Sequence, residues 1–133
     1  MGWIGVDLDG VLAEYHGWPK DGGIGAPVAP MVERVQGWLL EGRDVRIFTA
    51  RIWPLGTSME AAMQADWAES DGSVVSARTD VPRQLAQIKA WSLAHIGREL
   101  PVTCVKDYGM ITLYDDRCVQ VERNTGKLLG EPL

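Results

Sequence analysis

Short apolar runs that break off at a polar residue alternate along this chain with stretches whose apolar positions recur every three or four residues. Trp3 to Val6 is such a run, ending at Asp7, and it predicts a buried strand meeting solvent at its carboxyl end. Met31, Val32, Val35, Trp38, Leu39 and Leu40 then fall at helical spacing, with Pro30 suited to the first turn and Gly42 to the stop. Val45 to Phe48 predicts a second strand ending at Thr49-Ala50-Arg51, and Val102 to Val105 a third ending at Lys106. Between these two, Pro82 is expected to open a helix with Leu85, Ile88, Trp91 and Ala94 on one face and Gly97 at its end. Ile111 to Tyr114 predicts a fourth strand ending at Asp115-Asp116. Cys118 to Val121 and Lys127 to Leu129 are expected to pair as a hairpin around Asn124-Thr125-Gly126. Strands alternating with helices predict an α/β, Rossmann-like domain with a mainly parallel central sheet flanked by helices.

Two stretches escape this rhythm. Residues 11–29 are rich in Gly and Pro and read as a loop or flap. Residues 52–82 read as an insertion with a short helix around Ser58 to Glu69. A length of 133 residues suits a single domain spanning 1–133, and 46% hydrophobic with 23% charged residues is the balance of an ordinary globular protein. The net charge of -5 disfavours nonspecific binding to nucleic acid without excluding it. Cys104 and Cys118 match no metal or disulfide pattern and are expected as reduced core residues. Asp7 comes too early for the apolar segment of a signal peptide, and no apolar run approaches the roughly 20 residues of a membrane span. A cytoplasmic protein without membrane contact is expected.

The candidate chemistry sits at the strand ends: Asp7 with Asp9, then Thr49, then Lys106, then Asp115 with Asp116. In an open parallel sheet the carboxyl ends of the strands line one crevice, so these residues are expected to converge despite their separation in sequence. Carboxylates, a hydroxyl and a lysine are the parts needed to hold a divalent cation beside a phosphate, and hard oxygen ligands suit Mg²⁺.

Gly5-Val6-Asp7-Leu8-Asp9-Gly10-Val11 resembles the first motif of the haloacid dehalogenase-like (HAD-like) phosphatases. Their second motif, a strand ending in Thr or Ser, resembles Val45 to Arg51. Their lysine motif best matches Lys106, and their acidic fourth motif matches Leu113-Tyr114-Asp115-Asp116. The resemblance implies a Mg²⁺-dependent phosphohydrolase in which Asp7 attacks phosphorus to form an aspartyl-phosphate. Asp9 then acts as general acid and base, while Thr49 and Lys106 bind the phosphate. It also implies Mg²⁺ ligation by Asp7, the Asp9 backbone carbonyl and the fourth-motif acids, with Asp116 favoured as direct ligand and Asp115 as its neighbour. The family's large cap domain has no room here, so the site is expected to be open, or partly closed by residues 52–82 or a second subunit.

Each residue also has a plainer reading. Asp7 and Asp9 cannot start a calcium loop, because Leu12 stands where that loop needs glycine and Trp18 where it needs glutamate. Thr49 alone would cap a turn, Lys89 is a helical rival to Lys106, and Asp107 is expected to cap the turn after it. Arg51 is expected to pair with a surface acid, with a grip on substrate as the alternative. His16 reads as a solvated loop residue and His95 as structural. Trp38 and Trp91 read as core, whereas Trp18, Trp53 and Trp67 are free to stack on a substrate ring. The substrate is expected to be a small phosphorylated molecule such as a nucleotide. Alternatives are a polynucleotide or protein phosphatase with an open cleft, and a silent phosphate- or metal-binding module.

Overall fold

The computed structural model describes residues 2–58, 60 and 64–130. Its elements run β1 (Trp3–Asp7), α1 (Ala29–Leu40), β2 (Asp44–Phe48), a 3-10 helix (Ala50–Gly56), β3 (Asp66–Ala68), β4 (Val74–Ser76), α2 (Ala77–His95), β5 (Val102–Thr103) and β6 (Met110–Tyr114). Four strands form a parallel sheet in the order β5-β2-β1-β6, and β3 pairs with β4 in a separate antiparallel hairpin. The fold is therefore α/β with a mainly parallel sheet flanked by helices.

β1 lies centrally, and its first four residues are buried, which is why it reads as one continuous apolar run. Ile4, Val6, Val45 and Ile47 of the sheet pack with Leu8 and Leu12 after β1, Val35 of α1, Ile52 of the 3-10 helix, and Ile88 and Trp91 of α2. Asp7 is in register with Phe48, and Val6 with Tyr114. The residues that follow these strands, including Thr49 and Asp115, thus emerge at one level.

Local chemistry explains the boundaries. Pro30 sits in the first turn of α1, and Gly42, with φ +78°, closes its end. There the Gly42 amide donates to Leu39 O at 3.0 Å and the Arg43 amide to Trp38 O at 2.9 Å, the paired bonds of a glycine-terminated helix. β5 stops two residues short of the expected Val105, because the Thr103 hydroxyl accepts the Val105 amide at 3.1 Å and turns the chain away. α2 begins at Ala77 and not at Pro82. The buried side chains of Ala77, Asp80 and Val81 anchor the turn before the proline, so packing outweighs the backbone bond that Pro82 removes.

The expected helix around Ser58 to Glu69 falls partly outside the described residues; within them Glu60 and Gln64 are helical, whereas Asp66–Ala68 is a strand instead. Alternation over so few residues, with only Trp67 strongly β-prone, left that strand hidden. The carboxyl-terminal hairpin reduces to one bridge, Val121 to Leu128, with Asn124 at φ 66° and Gly126 at φ 75° in its turn. Cys104 is half-buried, but Cys118 is exposed and not in the core, because it lies beyond β6, an edge strand of the sheet. Among the described residues no helix is long and apolar enough to cross a membrane.

Candidate metal and phosphate site

Asp7 ends the central strand and Asp115-Asp116 follow its neighbour β6, so the register of these two strands brings the three carboxylates together. One oxygen from each lies within 4.8 Å of the others. Gly10 makes this approach possible: its φ is +91°, and a Cβ there would run into the Asp116 carboxylate. The Asp7 carboxylate also accepts the Leu8 amide at 2.9 Å.

Burial first, then the charge of Asp115 and a hydrogen bond with Asp116, push the Asp7 carboxyl up to about 7. Three acids this close repel one another when ionised, and a hard cation would relieve that repulsion. The all-oxygen donor set fits a divalent ion of the Mg²⁺ type.

Asp9 does not join this cluster. Arg51 claims it, with Nε donating to one carboxylate oxygen at 2.7 Å and an NH2 group to the other at 2.8 Å. The remaining guanidinium bonds run to the Gly22 and Gly23 carbonyls of the flap, each at 2.8 Å, and to Gln84 Oε1 on α2 at 3.2 Å. The Trp18 ring lies 4.6 Å from the guanidinium carbon. The Arg51 side chain is 2% exposed, so the expected surface role is wrong. It ties the flap, α2 and Asp9 together through five donors in one planar fork, which lysine lacks. The missed signal was position: Arg51 follows Thr49 at a strand end, the same criterion that singled out Asp7.

Thr49 is buried, and its hydroxyl accepts the Arg51 amide at 3.1 Å, capping the 3-10 helix. An accepting hydroxyl still has its hydrogen to donate, so the capping and phosphate-binding readings are compatible. Thr49 lines a cleft of about 400 Å³ together with Asp7, Asp9, Arg51 and Asp115. That volume lies within the roughly 300 to 1,000 Å³ of small-molecule sites.

Lys106 stands three residues beyond β5, exposed, and is not among the residues lining the cleft. Its rival Lys89 is exposed on α2. The cations that do line the cleft are Arg51 and Arg117, the latter unmarked in the sequence reading. The Arg117 amide donates to Asp115 at 2.8 Å, so the acid pair and the arginine form one turn. Asp107 caps its turn as expected, accepting the Gly109 amide, and it also accepts the Trp3 indole N–H at 2.8 Å. This second bond holds Asp107 below the usual carboxylate range. His16 is exposed on the flap, and exposed His95 packs against Trp91 with ring centroids 4.8 Å apart. Comparison with known families, curated proteins and solved structures finds no match.

Proposed function

We propose that this chain is a Mg²⁺-dependent phosphomonoester hydrolase of the HAD-like type, with Asp7 as nucleophile. The observation that supports this most is the meeting of Asp7 with Asp115 and Asp116 in one acidic cluster beside a cleft that Asp9 and Thr49 also line. The first, second and fourth resembling motifs thus contribute to one place.

An Asp7 oxygen attacks phosphorus, the bond to the leaving oxygen breaks, and Asp9 delivers a proton to that oxygen. Water then attacks the phosphorus of the aspartyl-phosphate, Asp9 takes the water proton, and the bond to Asp7 breaks. Each Asp9 oxygen accepts one bond from Arg51 and keeps a further lone pair, so the fork orients Asp9 without blocking it. Thr49 donates to a phosphate oxygen, and Arg117, with Lys106 if its side chain swings inward, balances the negative charge. Asp7, Asp116 and Asp115, with the Asp9 backbone carbonyl, would hold Mg²⁺, which supplies the charge neutralisation that lets a carboxylate approach a phosphate.

The test is phosphate release from nucleoside monophosphates, sugar phosphates and an aryl phosphate, with Mg²⁺ and with EDTA. Release is expected to need the metal and to fall by at least about 1,000-fold in Asp7→Asn, the scale of losing a covalent nucleophile. Full activity in Asp7→Asn would sink the nucleophile assignment. No release from any compound would overturn small-molecule hydrolysis.

A further inference from the structure

The acidic floor of the cleft, with the cation it would hold, accounts for a phosphate but not for the walls. Tyr15, Trp18, Phe48, Trp53 and Trp67 line the same cleft as Asp7 and Asp115. Core packing accounts for the other tryptophans: Trp3 and Trp91 are buried, and Trp38 packs on the core with its ring 4.9 Å from that of Tyr114. By contrast Trp18 is 50% exposed and Trp53 47% exposed. Large apolar rings are ordinarily driven inward, so a group of them left facing a cavity calls for an occupant.

The rings are also held in place. Trp18 is fixed over Arg51, 4.6 Å from ring centroid to guanidinium carbon. Trp53 of the 3-10 helix and Trp67 of β3 meet edge to face, with centroids 5.3 Å apart and planes at 62°. The Trp67 indole N–H donates to Glu69 at 3.4 Å. A T-shaped pair uses one edge and one face, and leaves a further ring face open to stack on a planar ligand.

We infer that this aromatic wall is a subsite for a nucleobase, which makes the substrate class of the cleft a nucleoside monophosphate. This rests on the acidic cluster being the phosphoryl-transfer centre. A base stacks on indole through its π face, and its 5′-phosphate reaches the acidic floor of the same cleft. The wall brings few cations, and the chain carries a net charge of -5, so one phosphate is accommodated where the backbone of a nucleic acid would be repelled. That separates a free mononucleotide from a polynucleotide end.

The experiment is equilibrium binding to the full-length Asp7→Asn chain with Mg²⁺, followed by tryptophan fluorescence and calorimetry. The probes are a nucleoside 5′-monophosphate, ribose 5-phosphate and a 5′-phosphorylated oligonucleotide. The nucleotide is expected to bind roughly 5- to 150-fold tighter than ribose 5-phosphate, the range set by base–aromatic stacking. Trp67→Ala or Trp53→Ala should close most of that gap, and Trp67→Phe, which keeps a ring, should retain most of it. Equal affinity for nucleotide and ribose 5-phosphate in the Asp7→Asn chain overturns the subsite without needing any tryptophan variant to fold. An oligonucleotide bound more than about tenfold tighter than the mononucleotide overturns it in favour of a nucleic-acid end. A nucleotide that binds in this pattern, yet is not hydrolysed by the unmutated chain, supports the subsite and sinks the hydrolase reading instead.

Discussion

The floor and the wall of the cleft are built by different means. The floor is acidic, and its side chains follow directly from two adjacent strands whose pairing fixes them, Asp7 at the end of β1 and Asp115 just after β6, with Asp116 clustered beside them. The wall is aromatic and, apart from Phe48 at the end of β2, comes from three connecting segments: the flap with Tyr15 and Trp18, the 3-10 helix with Trp53, and the β3–β4 hairpin with Trp67. In the proposed function, the chemistry that tolerates little displacement would sit at the sheet's strand ends, and recognition mostly on segments that can vary without disturbing it. Arg51 joins the two, since one guanidinium binds Asp9 beside the floor, holds the flap carbonyls and carries the Trp18 ring.

The sharpest break in this comparison is Asp7→Asn set against Trp67→Ala. The first should remove turnover and leave nucleotide affinity, and the second should do the reverse, so parallel losses in both would show that floor and wall are not separate. Next in size is Arg51→Ala. Removing one partner of a buried ion pair costs about 3–5 kcal/mol, and urea unfolding should register a loss of that order. Arg51→Lys should recover only part of it, because an ammonium cannot reproduce the fork. A loss below about 1 kcal/mol would return Arg51 to the surface role that the sequence suggested.

A smaller effect separates the two acids after β6. Asp116→Asn should raise the Mg²⁺ concentration for half-maximal activity by about tenfold or more, and Asp115→Asn should raise it less. An unchanged requirement in Asp116→Asn would move the direct contact to Asp115.

The gentlest probe is pH. The Asp7 carboxyl stands at about 7 in the folded, metal-free chain against 3.8 for an ordinary aspartate. A carboxyl raised by folding stabilises most below its unfolded value, and that contribution is lost as pH climbs through the folded one. The metal-free Tm should therefore fall between about pH 4 and pH 7, and Mg²⁺ should raise it again at pH 7 by binding the folded state. A Tm that rises steadily over that window without metal would contradict the crowding of acids around Asp7.

Much of this molecule is written locally. The apolar runs and their polar ends marked β1, β2 and β6, the Pro30 and Gly42 signals bounded α1, and the strand-end rule named Asp7, Thr49, Asp115 and Asp116. These follow from side-chain periodicity and from turn chemistry between near neighbours, which a sequence displays directly. The tertiary structure alone decided which strands lie side by side, that α2 starts ahead of its proline, that residues 66–76 form a hairpin, and that Lys106 stands outside the cleft lining while Arg117 stands within it. It also decided the fate of Arg51, whose side-chain partners at Gly23 and Asp9 lie 28 and 42 positions away along the chain. No local pattern encodes such partners. Burial of an arginine is favourable only when distant carbonyls and a carboxylate are assembled around it at once, and that assembly exists only in the folded chain.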